Sequence, residues 1–464
     1  MNTVLDPQFA VPYAPHEGAT RAAKLFHLAF ADKPAGTYRA PGRVNVIGEH
    51  TDYNGGVALP LALPHATYAA MRPRSDRRMR VVSAQMSQPI DLDLDELSQS
   101  LTDASRDDGS RVFTGPGAYV GGTVLGLEDV LNRVGEFPGF DVAIDSCVPL
   151  GAGLSSSAAL ECAVAVGVDD LLTLGLSDTV AGRHVLLDAG RRAENFYVGA
   201  PTGGLDQAAA LLCSPGHVIL LDCRTLDAEP VEFDLAARGL ELLVIDTKAH
   251  HDLADGQYAK RRHSCEVAAA ALGVEFLGDL LADSGVKASS PAMSTGLDSP
   301  GGIPRASAVG SPAKFAEILS RLHTALGDSS TAAEVHRCTR HVLTEIQRTR
   351  DFVAELRGAW NPEVLGDLMN ASHESLRYDY QVTCAELDTA VEAARQAGAY
   401  GARMTGGGFG GCAIALVKQE AVEPVVQEVA GTFASAGFDA PAFLLSEPAA
   451  AAAAVQVSAP LRVP

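Results

Sequence analysis

The 464-residue chain predicts an α+β fold. Three observations carry that expectation. Strand-like segments gather early, between Thr37 and Leu94. Helical spacing dominates two later stretches, one ending near Leu212 and one running from Phe315 to Ala397. Strands and helices do not alternate as regular βαβ units would require. The composition, 47% apolar and 20% charged, supplies ample apolar surface for a large core, and the length allows two or three domains.

Taken in order, residues 1–18 read as a flexible lead-in, with prolines and acids and no basic-then-apolar signal pattern. Ala19 to Ala31 has helical spacing. Strands are expected at Thr37–Ile47, Ala66–Arg72, Arg78–Ala84 and Ile90–Leu94, then a helix over Gly117–Val134. Phe140–Asp145 is β-prone and feeds a glycine-rich turn, after which three helical stretches follow. His217–Asp222, Val231–Asp234 and Leu240–Ile245 read as strands. Residues 284–312 are rich in Ser, Gly and Pro with few large apolar side chains, the composition of a flexible insertion. Beyond the long helical region, Tyr400–Met404 and Ala413–Val417 are strands flanking a second glycine-rich loop, and a helix and a last strand (Ala442–Leu445) follow. Residues 448–464 form an alanine-rich tail expected to fray.

The charge balance narrows the partners. Asp and Glu number 57 against 36 Lys and Arg, a formal charge of -21. Such a surface repels nucleic acid and anionic membranes, and no apolar run is long enough to cross a bilayer. The eight cysteines are scattered without a CxxC pair, so they read as reduced core thiols of a cytoplasmic protein, not as a disulfide framework or zinc site. An anionic ligand would need a local basic or amide-rich pocket.

Four blocks carry chemistry. Pro149–Leu160, PLGAGLSSSAAL, places a glycine turn and three serines ahead of an alanine-rich helical run. Glycines let backbone amides approach a polyanion, and a helix starting behind them aims its N–H groups and positive dipole end at the same point. Serine hydroxyls there can bond phosphate oxygens or magnesium. No Gly-Lys-Ser/Thr follows, so this is not a Walker loop. The plain alternative is a turn with a serine N-cap. Arg39–Gly56, RAPGRVNVIGEHTDYNGG, packs Arg39, Arg43, Glu49, His50 and Asp52 among four glycines. Charges this dense are expensive unless they face a site. Arg43 could stabilise charge on a transferring phosphoryl group, and Glu49 and Asp52 could accept hydrogen bonds from neutral hydroxyls. The alternative is a solvated turn with surface ion pairs.

Glu194–Gln207, ENFYVGAPTGGLDQ, sets Glu194 at the end of a helical run and Asp206 after a Gly-Gly turn. Asp206 could take or orient a hydroxyl proton, as phosphoryl transfer requires, or serve only as a helix N-cap. Thr405–Cys412, TGGGFGGC, holds five glycines in eight residues, more than a strand turn needs. Its backbone is expected against the first glycine loop. In Asp246–His251, DTKAHH, the two histidines are adjacent and not at the i, i+4 spacing that shares a helix face, which argues against a metal site. Tyr258, ahead of Lys260-Arg261-Arg262, opens a helix whose basic face reads as solvated, with Tyr258 pointing into a sugar pocket as the sharper alternative.

In this order and spacing the blocks resemble the GHMP kinases, and Gly42–Gly56 (GRVNVIGEHTDYNGG) resembles the signature of their galactokinase branch. The resemblance runs from about Lys33 to Leu445. It implies a two-lobed fold: an N-terminal mixed sheet with helices over 19–230, a C-terminal α/β sandwich over 231–447, and an active site between the lobes. It also implies ATP-dependent phosphorylation of galactose at the anomeric hydroxyl, with Mg2+. Carried across residue by residue, Gly151, Ala152, Gly153, Leu154, Ser155, Ser156 and Ser157 match the loop that wraps the ATP phosphates. Ser157 and Glu194 match the magnesium positions, and Arg43 and Asp206 the catalytic pair. Glu49, His50, Thr51, Asp52, Gly203 and Tyr258 match positions lining the sugar pocket. Ala152 stands where glycine is often found, tolerable if its backbone torsion is ordinary. The expected partners are galactose and ATP, with a monomer favoured. Rival readings are a kinase for another hexose such as N-acetylgalactosamine, or a galactose and ATP sensor without turnover. Ser155–Ala158, Arg43 and Asp206 are all present, which favours the enzyme.

Overall fold

The structure, a computed structural model, describes residues 7–102, 115–200, 202–249, 254–281 and 311–457. Two principal sheets organise them. The first has six strands in the order Ala453–Ala454, Gly36–Asn45, Pro60–Pro73, Phe140–Ser146, Arg78–Ser83, Ile90–Asp93. Neighbours are antiparallel except Arg78–Ser83 beside Phe140–Ser146. Helix Pro15–Phe30 covers one face through Ala19, Ala22 and Phe26, and helices Pro116–Val130 and Ser156–Leu171 lie on the other. Ser156–Leu171 is apolar nearly all round because it is buried between the sheet and its neighbouring helices.

The second sheet runs Gln8–Phe9, Ala442–Ser446, Leu240–Asp246, Cys412–Lys418, Gly401–Thr405. Its central strand, LELLVID, is a nearly unbroken apolar run because both its faces are covered. Helices Pro362–Ser375, Ala385–Gln396 and Val422–Ala436 belong to this half. The helix Ser330–Arg357 sends Val335, Val342, Leu343 and Ile346 into the same core. A small third sheet joins Val57–Ala58, His217–Asp222 and Ala228–Glu232.

The two chain ends correct the sequence reading. The lead-in is ordered from residue 7: Gln8 and Phe9 pair in parallel with Ala442 and Phe443, and the first helix begins at Pro15. Of the tail expected to fray, residues 448–457 are ordered. Ala449, Ala452 and Val455 donate their N–H groups to Ala62, Ala210 and Thr37 at 2.9, 2.7 and 2.8 Å. Small side chains let this segment lie flat on a sheet edge whose backbone groups would otherwise be unpaired. Each end therefore adds a strand to the sheet of the opposite half. Of the expected insertion, residues 284–310 lie outside the described residues, while Ser311 and Pro312 begin a helix, with the Ser311 hydroxyl accepting the Lys314 N–H. The helix Leu94–Thr102 was not foreseen, and the strand placed at Ala66–Arg72 runs from Pro60 to Pro73.

Candidate active site

Arg43 lies on the strand Gly36–Asn45, just after a register shift between Pro41 and Arg43. Such a bulge re-aims a side chain. Gly42 at this point packs so closely that a Cβ would stand 2.7 Å from the Leu154 carbonyl oxygen, and Arg43 N–H donates to that same oxygen at 3.1 Å. The Arg43 guanidinium donates from Nε to Asp206 Oδ1 at 2.8 Å and from Nη1 to the Gly153 carbonyl at 2.6 Å. Asp206, in the first turn of helix Leu205–Leu212, accepts on Oδ2 from the Ser155 hydroxyl at 2.5 Å. Three residues from three sequence blocks thus meet at one carboxylate.

Ser155 has φ 57°, an unusual conformation for a residue other than glycine, and its side chain makes no capping bond to helix Ser156–Leu171. The simple N-cap reading therefore fails: the hydroxyl is turned onto Asp206. Gly151 and Gly153 have φ of 70° and 72°, whereas Ala152 is not among the positive-φ residues, as its side chain requires. Ala152 and Leu154 bury their side chains in the core, so only their backbone can serve a ligand at this loop. The two glycine-rich loops touch, as expected: a Cβ on Gly406 would stand 3.0 Å from the Gly153 carbonyl oxygen.

Glu194 sits on a π-helical turn, Ala193–Val198. Its Oε1 accepts from the Ser157 hydroxyl at 2.9 Å, and its Oε2 from Thr202 Oγ1 at 2.6 Å and Gln207 Nε2 at 2.9 Å. Burial, then the nearby Asp206 charge, pushes its carboxyl up.

Beside Asp206 opens a cavity of about 180 Å³, room for about six waters. Glu49, His50, Asp52, Gly203 and Tyr258 line it, together with Arg43 and Asp206. Glu49 is 3% exposed. Its Oε1 accepts from Gly406 N–H at 2.6 Å and Thr405 Oγ1 at 3.1 Å, and its Oε2 accepts from Asn45 Nδ2. Burial pushes its carboxyl up, opposed by Arg403 and Arg43. Asp52 is raised to about 6, first by burial and then by the charge of Asp206. A Cβ on Gly203 would stand 2.7 Å from Asp52 Oδ2, so only glycine leaves that carboxylate its place. His50 has φ 61°, hydrogen-bonds through Nδ1 with Tyr53 Oη at 2.9 Å, and is lowered to about 3 chiefly by burial. Tyr258 packs against Tyr53 and His50, with ring centroids 5.6 and 5.9 Å away.

Thr51 is a correction. Its side chain is fully buried, with Oγ1 at 3.0 Å from the Gly48 carbonyl oxygen and 2.9 Å from that of Val57. It pins the turn and does not line the cavity. Sequence reading also passed over Asn45, Thr202 and Gly406, all of which face the cavity. Of the DTKAHH segment, His250 and His251 lie outside the described residues, and Asp246 pairs with Lys248 at 2.5 Å. Among the described residues no cluster of three or more His, Cys, Asp or Glu could hold a metal, every cysteine is free, and no helix is long and apolar enough to cross a membrane. A larger hollow of about 600 Å³ lies between Leu25–Phe30 and the strand at Arg80–Ser83, but Arg80 there is already engaged with Asp141 at 3.2 Å and with the Phe30 ring.

Comparison with known proteins supports the same grouping. The galactokinase galactose-binding signature matches residues 24–73, the GHMP kinase N-terminal domain 118–214, and the GHMP kinase C-terminal domain 360–435. A galactokinase from Streptomyces coelicolor is 39% identical over 434 residues, spanning 94% of this chain and 98% of its own. One from Mycobacterium tuberculosis is 38% identical over 410 residues, 88% of this chain and 95% of its own. The crystal structure of Lactococcus lactis galactokinase complexed with galactose superposes with a TM-score of 0.76 at 29% identity, covering 94% of this chain and 99% of that one. Methanococcus jannaschii mevalonate kinase, at 15% identity and TM-score 0.54, shares the fold. On these matches the chain belongs to the galactokinase family of the GHMP kinases.

Proposed function

We propose that this chain transfers the γ-phosphoryl group of ATP to the anomeric hydroxyl of α-galactose, giving galactose 1-phosphate and ADP. The observation that carries this reading is the junction at Asp206. One oxygen meets Arg43 and the other meets Ser155 of the glycine loop, at the edge of a cavity lined by carboxylates and a tyrosine. Carboxylates and phenols read the hydroxyl geometry of a neutral sugar, whereas an anionic acceptor would want more Lys and Arg. We assign Arg43, Ser155, Asp206 and the cavity carboxylates to an N-terminal half, residues 19–230, and Tyr258 to the enclosing half, residues 231–447, with short exchanged strands at either end.

In the reaction the sugar hydroxyl enters beside Asp206, which orients it and accepts its proton as the new O–P bond forms. A loose phosphoryl-transfer transition state requires little basic assistance, so orientation is the larger part of that role. Arg43 fixes the carboxylate and offers its charge to the equatorial oxygens of the moving phosphoryl group. The backbone amides of 151–157 and the start of helix Ser156–Leu171 cradle the phosphates. Glu194 and Ser157 suit magnesium. They are hard oxygen donors in mutual contact, and Mg2+ is usually held by one or two protein groups with phosphates and waters completing its shell. When bound, the ion neutralises charge on the β- and γ-phosphates.

A coupled ADP-release assay over a panel of hexoses, with and without magnesium, tests the reading. Turnover is expected with galactose and the metal together. Preference for N-acetylgalactosamine would move the chain to the rival sugar, and no ADP release with any hexose would leave the sensor reading.

The raised Asp52 carboxyl adds a pH signature. As the ionised form is the hydroxyl acceptor, kcat/KM for galactose should fall below pH about 6, approaching tenfold per pH unit. Asp52→Asn should abolish that acid limb; an unchanged limb in the variant would assign the titration to another group.

A further inference from the structure

Arg403 and Glu345 belong to none of the four sequence blocks, yet both are fully buried beside the sugar cavity. Arg403 lies on the strand Gly401–Thr405. Its Nη1 donates to the carbonyls of Asn45 and Val46, both at 3.1 Å, and stands 3.8 Å from Glu49 Oε1. Its Nε donates to Ser372 Oγ at 3.1 Å, and its Nη2 is 3.8 Å from Glu345 Oε1. Glu345, on the helix Ser330–Arg357, accepts on that same Oε1 from Gly48 N–H at 3.0 Å and Ser372 O–H at 2.6 Å. Its Oε2 accepts from Arg348 Nε at 2.8 Å. Burial pushes the Glu345 carboxyl up, but Arg348, His341 and Arg403 outweigh it and hold the group at about 2.

These contacts converge on one five-residue turn, Asn45–Glu49. Arg403 grips its first carbonyls, Glu345 its Gly48 amide, and both reach it from the C-terminal half. Gly48 has φ 101°, and a Cβ there would stand 2.7 Å from the Val57 carbonyl oxygen, so the turn has one conformation to offer. A carboxylate, guanidinium and carboxylate buried in series are a poor way to gain stability, because well-packed apolar side chains of similar volume do as well or better. What the series supplies is direction: a planar fork with fixed donor angles, locked to the turn that ends in the cavity-lining Glu49.

We propose that Arg403 and Glu345 are positioning residues, a clamp from the C-terminal half that aims the Glu49 carboxylate into the sugar cavity and so sets galactose affinity without touching ATP or the reacting atoms. The proposal rests on the reading of Glu49 as a sugar ligand.

Arg403→Lys keeps the charge and loses the fork, and should raise the galactose KM about 10- to 100-fold. A titration with galactose alone should show the same factor in Kd, with the ATP KM changed by no more than about twofold. Ser372→Ala removes the hydroxyl shared by Arg403 and Glu345, and should raise the galactose KM about 3- to 10-fold in a protein that folds normally. If the clamp acts through Glu49, Arg403→Lys should add little in a Glu49→Gln background. Losses that multiply fully across that double variant would overturn the proposal. So would equal increases in the galactose and ATP KM, or an unmoved galactose KM in folded Arg403→Lys. Should Arg403→Lys fail to fold, Ser372→Ala decides by the same criteria. The underlying reading fails separately, and visibly, if Glu49→Gln alone leaves galactose binding unchanged.

Discussion

Asp206→Asn should lower kcat at least ~100-fold while leaving ATP binding nearly unchanged, and Arg43→Ala should lower kcat by a similar factor with some loss of ATP affinity as well. In the proposed mechanism Asp206 is where the sugar side and the phosphate side of the site meet, so its loss disconnects them. The asparagine keeps the volume; its amide oxygen can still accept from Arg43, and its NH2 can donate to the Ser155 hydroxyl, which turns to accept. It removes the proton acceptor and the charge that orients the hydroxyl. Arg43 contributes differently: its Nη1 is tied to the Gly153 carbonyl, so it also fixes the phosphate loop against the first sheet. Steady-state kinetics together with an ATP-binding titration separate these effects. Near-wild-type turnover in either variant would remove that residue from the reaction. A large loss of ATP affinity in Asp206→Asn would mean that the carboxylate supports the loop and not the acceptor.

Glu49→Gln should raise the galactose KM about 10- to 100-fold with a smaller change in kcat, since a hydrogen bond to a charged group contributes roughly 1.5–3 kcal/mol. The conservative change matters. Glu49→Ala would leave Arg403, Asn45 and the Gly406 amide short of a partner in a buried site, and breaking a buried pair this way costs about 3–5 kcal/mol of stability. Loss of fold would then be mistaken for loss of affinity. Kinetics in the two substrates and a thermal melt of the same sample keep them apart. A defect confined to the ATP term would show that Glu49 does not face the sugar.

Much of this site is readable in the polymer because its parts sit in dense local blocks. Arg43, Glu49, His50 and Asp52 share eighteen residues with four glycines, a concentration of charge that a strand leading into a turn does not tolerate without a purpose. The second glycine loop is legible for a similar reason, because its five glycines in eight residues exceed what a turn demands. Thr51 was misread because position in a motif does not say which way a side chain points. His50 takes a left-handed conformation, and Thr51 turns inward onto two carbonyls. Arg403 and Glu345 were missed for a different reason. A lone arginine in an apolar strand and a lone glutamate in a long helix are ordinary, and their meaning arises only when the two halves of the chain pack together. The C-terminal segment shows the limit of composition. Its alanine-rich sequence advertises few large side chains, yet its backbone completes a sheet edge and reaches Ala210 in the Asp206 helix, Ala452 is buried in the core, and Val455 and Val457 pack against the first helix and sheet.

The central claim is that one phosphorus is passed between two bound substrates at Asp206. Its most direct test follows the γ-phosphoryl group itself, using ATP labelled at that phosphate, magnesium and galactose with the purified protein. The account predicts label on the anomeric oxygen of galactose, one equivalent for each ADP formed. Label released as inorganic phosphate, or found on another sugar oxygen, would contradict it.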